Sequence, residues 1–331
     1  MFDKILLPLD GSMLAERSIP HALEFARIFN SRIILCRVIE PGAHTDNVQL
    51  SDPLHWQLLK TEADLYMQRI TDQIRQELDL PPAQPDTVQT ERVSYVILEG
   101  KIAESIVDFA HKESTDLLII GTHGSGGLSP WHFNSVVAKV ISLIYTPVLI
   151  IRAYLSEPPE VTRPNYSRIL LPIDCSRRAE YAFTAGIALA INKGSKLILV
   201  SVIKPPDVPI IEPYHTQIQQ LREELIAYSH KAINLYLEEI SQRLPVETEN
   251  HIIENTSVTD AILKLSREEE ADLLVLCAHG HTGGLAWPFG TVARNIMEYS
   301  QLPVLVIQDL SRSEVKPSEL EELVKETRSR E

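Results

Sequence analysis

Two stretches of this 331-residue chain carry residue types suited to holding an anion. The first reads Gly121-Thr122-His123-Gly124-Ser125-Gly126-Gly127-Leu128, with Asn134-Ser135 a few residues on. The second reads Cys277-Ala278-His279-Gly280-His281-Thr282-Gly283-Gly284-Leu285, with Gly290-Thr291 following. Each comes after an apolar run and leads into a segment of helical periodicity. Glycines let backbone N–H groups approach a phosphate with no Cβ in the way. A helix start adds unpaired N–H groups and the positive end of the helix dipole. A hydroxyl at Ser135 or Thr291 can cap that helix or donate to a phosphate. A tight turn is the other reading of the same glycines.

His123 and His279 recur at one position of these loops. There, contact with a ligand competes with hydrogen bonding inside the loop itself. The chain has no His-x3-His, no Cys-x2-Cys and no carboxylates clustered at ligand spacing, so no metal site built from side chains is expected. Cys36, Cys175 and Cys277 are few and far apart; they read as small apolar residues rather than disulfide partners. Cys277 stands out because it borders an anion loop, which can lower a thiol pKa. No base, nucleophile or arginine shows the paired spacing of a catalyst.

Positioning two such loops requires two similar scaffolds, and the chain repeats itself in order. Lys4-Ile5-Leu6-Leu7-Pro8-Leu9-Asp10 returns as Arg168-Ile169-Leu170-Leu171-Pro172-Ile173-Asp174. Asp116–Ile120 returns as Asp272–Leu276, and Thr146–Ile151 as Leu302–Ile307. Trp131 and Phe133 align with Trp287 and Phe289. Each copy alternates short Ile/Leu/Val runs with helical segments. One helix is expected over Ala15–Phe29, and long ones over Leu54–Leu78 and Tyr214–Leu244. Continuous apolar runs indicate strands buried on both faces, and strand–helix alternation implies a parallel sheet. The expected fold is α/β: two tandem doubly wound domains, each a five-stranded parallel sheet of Rossmann-like order 3-2-1-4-5 flanked by helices. The expected boundaries are 1–153 and 167–309, with a linker at 154–166 stiffened by Pro158, Pro159 and Pro164 and a charged tail at 310–331.

Composition narrows the class. The hydrophobic share is 44% and the charged share 23%, ordinary for a globular protein. The formal net charge of −14 repels nucleic acid and anionic lipid, so neither is an expected partner. No apolar run reaches the ~18–20 residues of a membrane span. The opening Met1–Pro8 reads as a strand rather than a signal peptide, and a cytoplasmic location is expected.

Loop spacing, the opening Ile-Leu-Leu-Pro-x-Asp strand and the closing Pro-Val-Leu strand together resemble the universal stress protein family over both copies. ATP-binding members of that family carry Gly-x2-Gly-x9-Gly-(Ser/Thr). The first copy has Gly121, Gly124 and Ser135 but Asn134 at the third glycine; the second has Gly280, Gly290 and Thr291 but Cys277 at the first. The resemblance implies that Asp10 and Asp174 lie near the adenosine, where carboxylates accept from ribose hydroxyls. Capping of the next helix is the competing role for both. It also places Val38 and Val202 along the adenine, with Pro8 and Val136 completing the first site and Pro172 and Val292 the second. Plain core is the competing role for the valines. ATP or a related adenine nucleotide is the implied ligand, with Mg2+ or Mn2+ held by its phosphates. The second copy is the better expected phosphate binder. The implied role is regulatory; the alternatives are a scaffold with degenerate sites and, less favoured, a slow ATPase. Single-domain relatives often pair through their last strands, which implies an intramolecular pseudo-dimer here, with a homodimer of tandems as a further level.

Overall fold

The computed structural model describes residues 1–40, 53–81, 91–122, 133–152, 163–207, 215–281 and 287–310. Two compact units divide the chain: Met1–Pro164 in the first, Asn165–Gly284 with Gly290–Asp309 in the second. The first runs β1 (Lys4–Pro8), α1 (Met13–Glu16), α2 (Ile19–Phe29), β2 (Arg32–Ile39), α3 (Pro53–Glu77), β3 (Val93–Glu99), α4 (Ile102–Lys112), β4 (Leu117–Gly121), α5 (Ser135–Leu143) and β5 (Val148–Ile151). The second runs β6 (Arg168–Pro172), α6 (Tyr181–Lys193), β7 (Lys196–Ile203), α7 (His215–Arg243), β8 (Thr248–Glu254), α8 (Val258–Glu268), β9 (Leu273–Cys277), α9 (Thr291–Tyr299) and β10 (Val304–Ile307).

Within the first unit the strand order is β3-β2-β1-β4-β5, and within the second β8-β7-β6-β9-β10, the expected 3-2-1-4-5 in both. All these pairs are parallel. Register repeats too: Lys4 faces Arg32 and Arg168 faces Lys196, an offset of 28 residues in each copy. Ile5, Leu6 and Leu7 are fully buried, as are Ile169, Leu170 and Leu171, because helices cover both faces of each sheet. β3 and β8 are edge strands and only half-buried. The aspartate before each fourth strand fixes the first: Lys4 N donates to Asp116 Oδ2 at 2.8 Å, and Arg168 N to Asp272 Oδ1 at 3.1 Å.

β1 pairs with β2 on one side and β4 on the other, as β6 does with β7 and β9. Strand order reverses there, which opens a crevice at the carboxyl ends of those strands. The single helix expected over Ala15–Phe29 is two, α1 and α2. Pro20 has no N–H to continue a ladder from α1, so the chain restarts with the proline in the first turn of α2. Copy two lacks that proline and has one helix, α6. Among the described residues no helix is long and apolar enough to cross a membrane. Most of the expected linker and tail lies outside the described residues.

Candidate functional site

The crevice of each unit opens with a turn after its first strand. Asp10 Oδ1 accepts from Ser12 N at 2.9 Å, and Ser12 Oγ accepts from Ala15 N at 3.1 Å. In copy two Asp174 Oδ1 accepts from Ser176 N, and Ser176 Oγ from Ala179 N, each at 3.1 Å. Ser12 therefore takes the capping role at α1 that the sequence had offered to Asp10, whereas Ser176 closes only the turn ahead of α6, whose N-cap position is Glu180. The aspartates bend the turn, and both stay exposed. The residue after each adopts left-handed backbone: Gly11 at φ +87° and Cys175 at φ +60°. Pro8 and Pro172, at the strand ends, are half-buried. So are Val38 and Val202, although the residues after them, Ile39 and Ile203, are buried. The valines are thus not plain core.

Asp174 has a second engagement. Its Oδ2 accepts from His281 N at 2.5 Å. A Cβ on Gly280 would lie 2.1 Å from that oxygen, so only glycine lets the loop come this close. The equivalent Gly124 and its neighbour His123 lie outside the described residues.

Each long helix sends a tyrosine to the crevice, which the sequence reading missed. Tyr236 of α7 donates to Glu180 Oε1 at 3.0 Å. Tyr66 of α3 adjoins Glu16; burial first, then that carboxylate, raises its phenol pKa. Burial and Glu180 do the same to Tyr236. The signal was present in the repeat: Asp10-x-Ser-x2-Ala-Glu16 returns as Asp174-x-Ser-x2-Ala-Glu180. Copy one adds cations. Arg37 stacks on the Tyr66 ring at 5.2 Å from its centroid, with Nη1 3.4 Å from where a Gly11 Cβ would be. Arg69 lies on the same ring and reaches Glu16 at 3.2 Å. Copy two has Ser201 at the register position of Arg37.

The loops after β4 and β9 differ at their bases. Gly121 and Cys277 both end buried strands. Burial, then the charge of Asp309, pushes the Cys277 thiol up to about 12, so the lowered pKa expected of a thiol beside an anion loop is not found. His279 reaches beyond its own loop. Its buried ring donates from Nδ1 to Asp309 Oδ1 at 2.8 Å, just past β10. Arg178, ahead of α6, donates from Nε to Asp309 Oδ2 at 2.6 Å. Burial alone would raise the Asp309 carboxyl, but His279 and Arg178 outweigh it and hold it below the usual carboxylate value. In the repeat Leu14 and Ala153 stand at the positions of Arg178 and Asp309, so copy one lacks this array.

The helix starts decide what remains for a phosphate. Asn134 has φ −65° and ψ 162°, and its Oδ1 accepts from Val137 N at 2.8 Å. Gly290 has nearly the same backbone, φ −70° and ψ 167°, and puts no side chain across the start of α9. Neither position is left-handed, so backbone conformation does not separate glycine from asparagine here. Space is the difference. A Cβ at Gly290 would meet Ala278 O at 3.3 Å. The loop-closing bond from Gly290 N to Ala278 O is 2.8 Å, whereas the bond from Asn134 N to Thr122 O is 3.3 Å. Ser135 and Thr291 are first helical residues with exposed side chains, not caps. Val136 is half-buried and Val292 exposed.

One cluster of ligand-type residues lies elsewhere, at the strand starts opposite the crevice. Glu249, His251 and Glu269 bring one donor atom each within 4.8 Å of one another, a grouping that local spacing did not reveal. Two cations already serve the carboxylates: Lys196 Nζ is 2.7 Å from Glu249, and Arg168 Nη2 is 2.7 Å from Glu269. The Lys196 hydrogen bond lowers the Glu249 pKa. We read the cluster as an ion-pair network.

Comparison with known proteins bears on both units. The model of the universal stress protein family matches residues 1–152 and again 165–308. A universal stress protein of Methanocaldococcus jannaschii is 27% identical over 152 residues, covering 46% of this chain and 83% of the relative. The solved universal stress protein of Archaeoglobus fulgidus superposes over 93% of this chain and 99% of its own, with a TM-score of 0.61 and 18% identity. A further universal stress protein has been solved in complex with cAMP; it covers 46% of this chain at 18% identity and a TM-score of 0.32. Matched twice along its length, the chain belongs to the universal stress protein family, with two family domains in tandem.

Proposed function

We propose that the second unit binds ATP or a related adenine nucleotide and that the protein acts as a regulatory binding protein rather than a catalyst. One observation carries this reading: the start of α9 has no side-chain cap, while the start of α5 is capped by Asn134. Unpaired N–H groups at a helix start attract phosphate oxygens. With glycine at 290 they stay open, and the Thr291 hydroxyl stands beside them to donate. In copy one the Asn134 carboxamide already takes one of those N–H groups and occupies the approach. The adenosine end would sit against Val202 and Asp174. The Asp174 oxygens already accept from Ser176 N and His281 N, but a carboxylate has about four acceptor positions, so a ribose hydroxyl can be added. Pro172, Cys277, His279, Gly280 and Val292 would line the rest. Mg2+ or Mn2+ would be held by the phosphates and water.

By sequence, copy one would offer Asp10, Val38 and Pro8 to the adenosine and Gly121, His123, Gly124, Ser135 and Val136 to the rest of the ligand. The Asn134 cap favours a lower phosphate affinity there.

The test is calorimetric titration of ligand-free protein with ATP and Mg2+. One occupied site is expected. Gly290→Asn should weaken it at least about 10-fold, or roughly 1.4 kcal/mol, and Asn134→Gly should add a second site. Absence of both heat and thermal shift at millimolar ATP would overturn the proposal.

A further inference from the structure

Among the described residues of its unit nothing covers the outer face of α7, and the spacing on that face says what would. Leu237 faces inward and is fully buried, with Ile226, Ile233 and Ile240 half-buried beside it. A second apolar row lies on a different face: Leu221 is 58% exposed, Leu225 47%, Tyr228 72% and Leu235 58%, with Ala232 exposed between the last two. Steps of 4, 3, 4 and 3 residues through 221, 225, 228, 232 and 235 give the seam of a two-helix coiled coil. They span about 21 Å along the helix at 1.5 Å per residue. A helix that is apolar on two faces is normally covered on both. Helix α3 exposes Leu54, Leu58 and Leu65 along one line, but Thr61 and Gln68 interrupt it.

We infer that α7 docks onto α7 of a second copy of this chain, antiparallel, about a two-fold axis near Leu225 and Tyr228. Charge complementarity selects both the partner and the direction. In this seam Glu224 and Lys231 both occupy the flanking position that faces its own kind in an antiparallel pair. Each Glu224 then meets the Lys231 of the other chain, and the contact occurs twice, as a two-fold interface requires. A parallel pairing would set Glu224 against Ser229 and Lys231 against Tyr236, leaving both of these charges unmatched. Glu224 and Lys231 are exposed, and neither makes an ion pair with another described residue. In the antiparallel layers Leu221 meets Ala232, Leu225 meets Tyr228, and Leu235 meets the half-buried Ile218. A seam this short belongs with the small, weak interfaces, so a micromolar dimer is expected.

Sedimentation velocity on the full chain, from about 5 µM to about 500 µM, reads the dissociation constant. The wild type should pass from one to two chain masses over that range. Leu225→Glu with Tyr228→Glu should stay at one mass throughout, with unchanged far-UV circular dichroism showing that the unit still folds. Glu224→Lys and Lys231→Glu should each weaken the dimer several-fold, and the two together should restore it. A wild type that stays monomeric overturns the inference, as does a dimer that survives the double glutamate variant. If the charge swap fails to restore what each single change removes, antiparallel pairing is wrong.

Discussion

At the scale of single residues, Cys175 shows how a repeated fold can tolerate a poor residue. It holds the left-handed turn position that Gly11 holds in copy one, at φ +60°. A side chain there costs about 1 kcal/mol or more relative to glycine. Its contact with Ser201 Oγ, at 4.0 Å, is a weak one for a thiol. Cys175→Gly should therefore stabilise the chain by about 1 kcal/mol in urea denaturation; a loss of stability would mean that packing of the thiol outweighs the backbone strain. The sequence could not show this, because Asp-Cys-Ser and Asp-Gly-Ser look alike as turn openings until a dihedral is known. Nor could it show which residue caps which helix. Asp10, Ser12 and Asn134 are all acceptable caps by type, and only the position of the first helical N–H distinguishes them.

Between elements, the informative contacts join residues far apart in sequence. Asp174 follows β6, and Gly280 follows β9; the loop passes the carboxylate so closely that a methyl group would sit 2.1 Å from it. Gly280→Ala should cost about 1–3 kcal/mol, as overpacking does. The penalty should fall by at least half in an Asp174→Ala background, because the two sites are coupled. Equal penalties in both backgrounds would show that the carboxylate is not what the glycine accommodates. The strands were legible because each is a short apolar run whose burial is decided locally by neighbours on both sides. The break between α1 and α2 was legible in principle too, since Pro20 marks it, but the apolar spacing across Arg17 and Ser18 masked it. The His279–Asp309–Arg178 array was not legible, since Asp309 falls 30 residues beyond His279 and over 100 beyond Arg178.

For the molecule as a whole, that array predicts part of the acid response. The folded Asp309 carboxyl titrates below its ordinary value. Its stabilisation is therefore complete above the unfolded value near pH 4 and is lost as pH falls through the lower, folded value. Asp309→Asn should cost about 3 kcal/mol at neutral pH, the usual result of removing one partner from a buried pair. The gap between variant and wild type should stay constant down to about pH 4 and then narrow. A gap that narrows on going from pH 8 to 6 instead would point to a different titrating group. Of the candidate site, the two loops, the two aspartates and the two departures from the motif were legible in the sequence. It did not reveal the tyrosines from the long helices, because nothing local says which turn of a 25- or 29-residue helix overhangs the crevice.

The matched register of the two sheets has one more consequence. With Lys4 facing Arg32 and Arg168 facing Lys196 at the same offset, the copies hold equivalent strands in one register beneath different side chains. Each unit is thus a built-in control for the other. A residue exchanged between equivalent positions, such as Asn134 with Gly290, changes chemistry in one crevice while a reference crevice stays in the same chain, tube and buffer.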